Sequence, residues 1–534
     1  MSFVRDASQD LVYDSGTSSY VSANQSTTVP TNGPGPAVFV DNQGRALVYN
    51  GKALVYGEYE DTEEEWTPDS GWWDIKSIIN ADTRSYAGKA IILYSNAKDT
   101  ITFTISSPLV AVETSDGYYY TSTTTHTWDK TQDKPVSGDE SDTTPKLATR
   151  YVKYYFNTAT PSVYALYNLK NESSLYALFD CDLNINYGFS NSNNGFFYRN
   201  YTLIAFDFLN NHKFNLTSGY SYAYFCNGCY SLTKLPDVLD TSNSASFSSF
   251  CSSCYSLKKL PDILDTSSGT SFDSFCSSCN SLKKLPDVLD VSHGTIFSYF
   301  CYYCFSLETF PKVLDLSSGT GSLSNFCSNC YCLRKLPDVL DVSGFNNFSS
   351  FCAFCYALEK LPDILDVSSG TNFSNFCRNC TSLTKLPDVL DVSNGTNFYQ
   401  ALQSCYALKK LPNILDFSSV TNSDGLSYLF AYCYSLEATS DVFDLSGVSS
   451  SSNNSYLLYC CYSLVKANIK LQDRTLTSLS SNTNISVESL KYIADNAPTV
   501  SGKTLTLGST LIAKAGGASG TIITTLTNKG WTVN

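Results

Sequence analysis

Cysteine pairs in Cys-x-x-Cys spacing recur through the middle of this 534-residue chain. The complete pairs are Cys226/Cys229, Cys251/Cys254, Cys276/Cys279, Cys301/Cys304, Cys327/Cys330, Cys352/Cys355 and Cys377/Cys380. Such pairs can bind zinc as thiolates, form disulfides between neighbouring units or fill a core as small apolar side chains. In three later units the first cysteine is replaced by Leu402, Phe430 and Leu458. Because leucine and phenylalanine cannot bind a metal, the pattern favours buried thiols without a metal, and disulfides and metal remain as alternatives.

One aspartate per unit forms a second periodic set. Its members are Asp240, Asp265, Asp290, Asp315, Asp341, Asp366, Asp391, Asp416 and Asp444. Like charges about 5 Å apart repel by roughly 1 kcal/mol in water, so neighbouring aspartates need compensation. We expect the N–H groups of the Ser-rich turn after each aspartate to supply it. Bound calcium and a lysine column are the alternatives, the lysines being Lys234, Lys259, Lys284, Lys335, Lys360, Lys385 and Lys410.

Aromatic residues follow the second cysteine in most units. The column comprises Tyr230, Tyr255, Phe305, Tyr331, Tyr356, Tyr406, Tyr434 and Tyr462. Rows of partly exposed rings can stack on sugars or anchor a protein partner, although covering the edge of the stack is the simpler interpretation. Asn280 and Thr381 interrupt the column, and a purely internal column does not accept asparagine. The column is therefore the best candidate binding site in the sequence.

Motifs for catalysis do not stand out. The three histidines are His126, His212 and His293, which are far apart in the sequence. A Gly-rich phosphate loop, a His-Glu-x-x-His helix and a nucleophile elbow are all missing from the sequence. Scattered carboxylates leave a glycan hydrolase open without positive support. We expect no enzymatic activity and no cofactor.

A short repeat, within the range of solenoid units, positions these columns. Its period from one first cysteine to the next is constant apart from one extra residue after Cys301. Each unit continues with Leu-x-x-Leu-Pro-Asp, as at Leu257 and Leu260, and then with Phe-x-x-Phe, as at Phe272 and Phe275. A unit this short cannot bury its own apolar side chains, so the units must stack into a solenoid. We expect a short strand that ends at the proline and a helical or 3₁₀ turn at Phe-x-x-Phe-Cys-x-x-Cys.

The unit that contains Phe430, Cys433 and Leu436 resembles the BspA-like leucine-rich repeat family, whose units run Phe-x-x-Cys-x-x-Leu-x-x-Leu. The resemblance covers about half of the chain. It implies a mainly β fold with short helical turns and a leucine-rich-repeat solenoid of about ten 25-residue coils, which we place at residues 206–470. It also implies surface adhesion, although fold and function are only loosely linked.

Residues 1–64 are rich in Ser, Thr, Asn and Gly and are predicted to form an extended arm. The triplet Leu-Val-Tyr occurs in it at Leu11, Val12 and Tyr13, at Leu47, Val48 and Tyr49, and at Leu54, Val55 and Tyr56. Such β-prone pieces can add a strand to another protein. The arm is therefore predicted to be an attachment segment, and a disordered tail is the alternative.

Two further regions flank the repeats. Residues 65–205 are predicted to be a β-rich domain that includes a degenerate N-terminal cap of the solenoid, with strands at 90–94 and 100–104. Residues 471–534 are predicted to be an α+β cap, with a helix that begins after Ser486 and strands around 504–507 and 521–526. The first region resembles domains that precede BspA-like repeats in structural proteins of tailed bacteriophages that infect gut bacteria, and the second resembles the ends of phage-encoded repeat proteins.

Charge and hydropathy narrow the function classes. A formal net charge of -14 argues against a nucleic-acid partner, and no segment approaches the roughly 18 apolar residues of a membrane helix. The first residues lack the pattern of a secretory signal, which predicts folding in a host cytoplasm.

With the resemblances, we expect a structural and adhesion protein on a bacteriophage virion surface, a head or tail fibre or appendage. Its arm would bind other virion proteins and its solenoid a host surface protein or glycan; homo-oligomerisation stays open, and a bacterial surface adhesin is the alternative.

Overall fold

The computed structural model describes residues 221–534 except 237, 240, 262, 338–339, 414, 450–451 and 477–478. Before residue 221 it describes 82–94, 100–114, 119–121, 123, 125–129, 150–160, 175–182, 185–187, 195, 197–201, 203–208 and 214–216, together with five short strands within 11–56. In several of these strands the backbone alone is described.

Fifteen strands of the described part precede the repeats. They are β1 (Leu11–Asp14), β2 (Ser19–Ser22), β3 (Phe39–Val40), β4 (Ala46–Tyr49), β5 (Leu54–Tyr56), β6 (Gly88–Tyr94), β7 (Thr100–Thr104), β8 (Leu109–Thr114), β9 (Tyr119–Tyr120), β10 (Thr125–Asp129), β11 (Arg150–Phe156), β12 (Leu175–Asp182), β13 (Ile185–Tyr187), β14 (Leu203–Phe208) and β15 (Phe214–Leu216).

The three Leu-Val-Tyr triplets lie in β1, β4 and β5. Strand β1 pairs antiparallel with β2, and β3, β4 and β5 form an antiparallel three-stranded sheet. Within it the second and third triplets face each other, with Leu47 opposite Tyr56 and Tyr49 opposite Leu54. These three segments therefore pair within the chain itself, and the predicted extended arm stays a prediction because most of residues 1–64 lie outside the described part. The side chains of the predicted attachment residues lie outside the described part of the structure.

A six-stranded sheet in the order β14-β12-β6-β11-β8-β9 precedes the solenoid. The strands predicted at 90–94 and 100–104 are present as β6 and β7, and β7 pairs with β10 outside this sheet. Strand β14 crosses the boundary predicted at 205/206 and pairs in parallel with β12. Phe206 packs on Phe197 and Phe225 at ring-centroid distances of 4.5 and 5.7 Å. One continuous core therefore joins the sheet to the first coil.

One wall of the solenoid is a ladder of parallel bridges through the Leu-x-x-Leu segments. The bridges join Lys284, Thr309, Lys335, Lys360, Lys385, Lys410, Ala438 and Lys466 in order. The flanking leucines point inwards, as Leu282 and Leu285 do. The predicted strand is thus reduced to one bridge residue per coil, because the proline that follows lacks an N–H to donate. Longer pairings in the repeats are β16 (Val238–Leu239), β17 (Ile263–Leu264), β18 (Gly321–Ser322), β19 (Phe345–Asn347), β20 (Phe443–Asp444) and β21 (Ile469–Lys470).

The Phe-x-x-Phe-Cys-x-x-Cys wall differs from the helical turn that the sequence predicts. Ser249 and Ser253 have φ values of 52° and 62°, and the equivalent residues of the following coils are also left-handed. Their N–H groups donate to carbonyls of the next coil, Ser249 to Asp273 at 2.8 Å and Ser253 to Ser277 at 2.7 Å. The N–H of Cys254 instead donates to Cys251 within its own coil, at 3.2 Å. A 3₁₀ helix would use every N–H internally, so stacking requires this alternation, and the wall is a series of turns.

Phenylalanine columns form the core between the two walls. Phe326, Phe351 and Phe376 stack at 5.6 and 5.5 Å with nearly parallel rings, and Phe247 and Phe272 stack at 5.5 Å in a second column. All five rings are buried. These spacings place each apolar position directly over its equivalent in the adjacent coil, which is how units without a core of their own acquire one.

The C-terminal cap contains helices α1 (Val487–Asn496), α2 (Gly508–Lys514) and α3 (Thr521–Asn528) and the parallel strand pair β22 (Lys503–Leu505) and β23 (Trp531–Val533). Helix α1 lies where the sequence predicts it, and Ser486 Oγ accepts from the N–H of Ser489 at 3.2 Å. The strand predicted around 521–526 is wrong, because this segment is helix α3. Its buried residues, Ile523 and Leu526, are three apart and face the core together, which outweighs the strand preference of its β-branched residues.

Candidate functional site

The predicted aromatic column is assembled on one edge of the solenoid as three stacks. Successive ring centroids lie 4.6 to 5.5 Å apart within the stacks Tyr201–Tyr230–Tyr255, Phe305–Tyr331–Tyr356 and Tyr406–Tyr434–Tyr462. The rings within a stack cover one another's faces, so the column presents mainly ring edges and hydroxyls. Sequence reasoning missed Tyr201, because its coil lacks the cysteine pair that marks the register. Asn280 and Thr381 separate the stacks. Asn280 is buried and Thr381 half-buried, so the expectation that an internal position does not accept asparagine is wrong.

Two hydroxyls of this column have raised pKa values. Burial, with the neighbouring Tyr406, raises the pKa of Tyr356 to about 12. A hydrogen bond with Cys460, followed by burial, raises the pKa of Tyr462 to about 12. The column therefore offers hydroxyl donors and acceptors along an aromatic edge, a chemistry that suits sugars and polar protein surfaces.

A second exposed column, which we call the apolar ridge, is absent from the sequence-based prediction. It consists of Ile263, Val288, Val313, Ile364 and Val389, which are 60%, 80%, 59%, 84% and 80% exposed. The leucine that follows each of them points into the core, as Leu289 does. In the sequence the ridge residue and the following leucine are both apolar, and both recur once per coil. The two are distinguished only because successive side chains of an extended backbone point to opposite sides. The ridge is an exposed apolar row on the solenoid surface, and such rows mark interaction sites when they are contiguous.

The acidic column is held by turn hydrogen bonds, as predicted. Asp240 lies outside the described residues; in every other member a carboxylate Oδ1 accepts from the N–H two residues on at 2.8 to 3.0 Å. Lys470 forms an ion pair with Asp444, the last member of this column, at 3.0 Å. Lys360 and Lys385 contact Asp363 of the Pro-Asp step instead, at 3.4 and 3.8 Å. The turns therefore account for the acidic column.

These turns make the protein sensitive to acid. The Ser292 hydroxyl and N–H hold the pKa of Asp290 below its ordinary value of 3.8, and the Ser393 N–H and hydroxyl do the same for Asp391. Since the folded pKa is the lower one, this stabilisation is complete above the unfolded value and is lost as pH falls through the folded value. We expect the urea midpoint to be flat from about pH 7 to 5 and to fall below about pH 4. Asp391→Asn, which keeps an acceptor oxygen, should reduce the slope, whereas a slope equal to that of the unaltered chain would contradict this origin.

The cysteines form an internal file. All nineteen that the structure describes are free thiols, and all but Cys332 are buried; the side chain of Cys181 is not described. Burial raises the pKa of Cys433 to about 12 and the pKa of most other thiols of the file. Cys254 and Cys226 sulfurs lie 3.9 Å apart across neighbouring coils, and Cys276 and Cys301 sulfurs lie 3.3 Å apart. The first-column cysteines are thus core residues, as the replacements Leu402, Phe430 and Leu458 indicate.

A charged cluster on the six-stranded sheet was also missed by sequence reasoning. The Tyr155 hydroxyl donates to Asp82 at 2.6 Å and to Glu113 at 2.8 Å, and Lys153 lies 3.6 and 3.8 Å from the same two carboxylates. Burial raises the pKa of Asp82, but the hydrogen bonds and nearby lysines outweigh burial and leave that pKa below its ordinary value. Arg84 pairs with Glu113 at 2.9 Å. Both carboxylates are neutralised and hydrogen-bonded, so the cluster serves to hold β8 and β11 to the segment before β6.

Comparisons with known proteins add little to this geometry. No protein-family model and no curated protein sequence matches the chain. A leucine-rich repeat protein from Eubacterium ventriosum superposes with 13% identity and a TM-score of 0.23, over 58% of this chain and 85% of that one. TLR13 in its complex with ssRNA13 superposes with 12% identity and a TM-score of 0.23, over 65% of this chain and 52% of that one. At these TM-scores the superpositions carry no argument, and the leucine-rich solenoid is established by its own bridges and columns. Among the described helices, none has the length and apolar character to span a bilayer.

Proposed function

We propose that the protein is a non-enzymatic structural and adhesion component of a bacteriophage virion surface, a head or tail fibre or appendage. In this proposal the N-terminal strands attach it to other virion proteins, and the solenoid presents its exposed columns to a host surface protein or glycan. The carrying observation is the apolar ridge, in which five β-branched side chains are exposed in strict register. The resemblance of the repeats to BspA-like units, and of the flanks to phage structural proteins, supports the setting.

The ridge is better explained by binding than by folding. Each exposed Val or Ile leaves apolar surface in water that burial would stabilise by about 25 cal/mol per Å². Serine or threonine at these positions would leave the inward-facing leucines unchanged, so the solenoid does not need them for its core. Asp290 and its equivalents flank the ridge with hydrogen-bonded carboxylates. An apolar row with an acidic border suits a partner that brings apolar anchors surrounded by basic or hydrogen-bonding groups.

A cell-binding assay tests this function. Purified, fluorescently labelled protein should bind host cells, and the triple variant Val288→Ser, Ile364→Ser, Val389→Ser should bind at least about tenfold more weakly, because the three lost anchors together contribute about 1.4 kcal/mol or more. The matched control exchanges the same residues among aliphatics, Val288→Ile, Ile364→Val and Val389→Ile, and should keep the affinity. Tyr230→Ser with Tyr255→Ser tests the aromatic column in the same way.

Two results would overturn the proposal. Equal binding by the serine and aliphatic variants, together with equal binding by the tyrosine variant, would remove both columns as adhesive faces. Release of soluble fragments from host polysaccharide would show an enzyme. Neighbouring genes for portal, capsid and tail proteins distinguish a virion component from a bacterial surface adhesin.

A further inference from the structure

Tyrosine side chains cluster in the last two coils, on the turn wall and the edge beside it, and we call this group the tyrosine patch. It consists of Tyr428, Tyr432, Tyr434, Tyr456, Tyr459 and Tyr462. Tyr428 stacks on Tyr456 at a ring-centroid distance of 4.7 Å, and a second stack joins Tyr434 to Tyr462 at 5.5 Å. Tyr459 contacts Tyr456 and Tyr432 with nearly perpendicular rings at 5.3 and 5.5 Å. Tyr432 contacts Tyr434 in the same way at 6.3 Å, so six rings of two adjacent coils form one connected group.

The patch is accessible to solvent. Tyr456 and Tyr462 are 42% and 52% exposed, and the other four residues are half-buried. A perpendicular contact covers a face of only one of its two rings, whereas a parallel stack covers a face of both. The patch therefore leaves more ring surface open to a ligand than a continuous parallel stack would.

The fold of the turn wall does not require these rings. Tyr428 and Tyr432 have φ values of 58° and 64°, a left-handed conformation that is unfavourable for bulky side chains. Ser249 and Ser253 occupy the equivalent positions in an earlier coil with the same conformation, and several other coils have Ser, Asn or Gln there. Small polar residues therefore satisfy the backbone, and the tyrosines are better explained by the surface that they form.

The chain around the patch carries no charge. Residues 425–436 and 445–464 contain no Asp, Glu, Lys, Arg or His. Asp424 borders the first segment, and its carboxylate accepts from Nδ2 of Asn453 at 3.2 Å. A ligand with phosphate, sulfate or carboxylate groups needs cationic partners, and the rim of a protein partner brings charged groups that need countercharges. An uncharged ligand therefore suits the patch best.

Sugar rings match both the aromatic and the polar groups of the patch. The C–H groups on one face of a pyranose pack on an aromatic ring, and its hydroxyls exchange hydrogen bonds with phenol, serine and asparagine groups. We infer that the tyrosine patch binds neutral carbohydrate. The inference rests on the proposed adhesive function and narrows the ligand at this end of the solenoid to an uncharged glycan. Because Tyr434 and Tyr462 also belong to the aromatic column, the patch continues that column onto the turn wall.

A glycan array tests this inference with the full-length protein. Labelled protein should bind neutral oligosaccharides of glucose, mannose, galactose or N-acetylglucosamine, and it should not bind sialylated or sulfated ones. The variant Tyr428→Ser with Tyr432→Ser should bind at least about tenfold more weakly, because the loss of aromatic anchors typically has an effect of this size. Tyr428→Phe with Tyr432→Phe keeps both rings and should retain more of the binding than the serine variant.

The matched control is Tyr299→Ser with Tyr303→Ser, which changes the same two positions of an earlier coil. The coils on either side have serine or asparagine at these positions, so Tyr299 and Tyr303 do not form a patch of this kind across two coils. This control should keep the affinity of the unaltered chain. Both serine variants should melt close to the unaltered chain, because serine already occupies both positions in the coil of Ser249 and Ser253.

Three array results would overturn the inference: no binding to neutral glycans, binding to acidic glycans alone, or an equal loss in the patch variant and its control. The cell-binding assay separates this inference from the proposed function. If the patch variant lost cell binding while the unaltered chain bound no glycan, the partner would be a protein, which overturns the inference and leaves adhesion intact. Binding to neutral glycans by a protein that does not bind cells would support the inference and overturn the adhesive function.

Discussion

Deletion of residues 328–352 is expected to leave a folded, cooperative protein, whereas deletion of residues 328–340 is expected to destroy the fold of the solenoid. The first deletion joins Cys327 to Ala353 and removes one whole coil, so the Cys-x-x-Cys spacing is restored at Cys327 and Cys355. The second removes half a coil and joins Cys327 to Asp341, so the coil after the junction meets the coil before it out of register.

The difference follows from where the core lies. Each buried leucine or phenylalanine stabilises the fold by about 1.5–3 kcal/mol, and it does so only when its equivalents in the adjacent coils are in register. A shift of half a coil places hydrogen-bonded Asp turns against phenylalanine columns at one complete interface. The loss exceeds the roughly 5–15 kcal/mol by which a typical domain is stable, whereas removal of a whole coil only subtracts one repeat and one interface.

Circular dichroism and thermal melting distinguish these outcomes. The whole-coil deletion should melt in one transition a few degrees below the parent, and the half-coil deletion should be insoluble or melt without cooperativity. If the two deletions behaved alike, the coils would be folding as separate beads, and the stacked core would not be the source of stability.

Phe351→Ala should destabilise the protein by about 3–5 kcal/mol. The ring is fully buried and lies between Phe326 and Phe376 at 5.6 and 5.5 Å, so its removal leaves a cavity between two rigid neighbours. The chain contains its own example of this change. Ala401 takes the place of the next ring after Phe376, and Leu402 replaces the cysteine beside it.

That natural pair provides the rescue experiment. Phe351→Ala with Cys352→Leu should recover part of the lost stability, because the larger leucine enters the vacated space as Leu402 does. Recovery should be incomplete, since a small apolar cavity lined by Phe376, Ala401, Leu402 and Phe430 persists at the natural site. Equilibrium unfolding in urea measures these changes, and Val389→Ala on the exposed ridge should cost no more than about 0.5 kcal/mol. A cost for Phe351→Ala as small as that of Val389→Ala would contradict a stacked core.

The repeat and the internal files could be predicted from the sequence because burial depends on residue type and period. Leu282, Phe275 and Cys279 lie where their spacing places them. The backbone of the turn wall could not be predicted. The left-handed conformation of Ser249 and Ser253 is imposed by hydrogen bonds to the next coil, and serine does not favour that conformation by itself. The outward direction of Val288 could not be predicted either. Val288 and the adjacent Leu289 are both apolar, so residue type does not show which of the two faces solvent. Helix α3 was missed because its β-branched residues favour a strand, although its buried residues have a helical spacing.

The acidic column shows the opposite case, in which local chemistry sufficed. An aspartate followed two residues later by a serine N–H forms its turn without help from the rest of the fold. The charged cluster around Tyr155 depends on strands far apart in sequence, and no spacing in the sequence reveals it.

The direction of the hydrogen bonds on the turn wall relates the folding of each coil to the order of synthesis. Coil by coil, N–H donors such as those of Ser249 and Ser253 reach carbonyls of the coil that follows, so a nascent chain leaving the ribosome always carries one unfinished coil at its growing end. The addition of each new coil completes the one before it. After the last coil, Ser481 Oγ accepts from the N–H of Cys460 at 2.8 Å, so the cap supplies the acceptor that a further coil would otherwise provide.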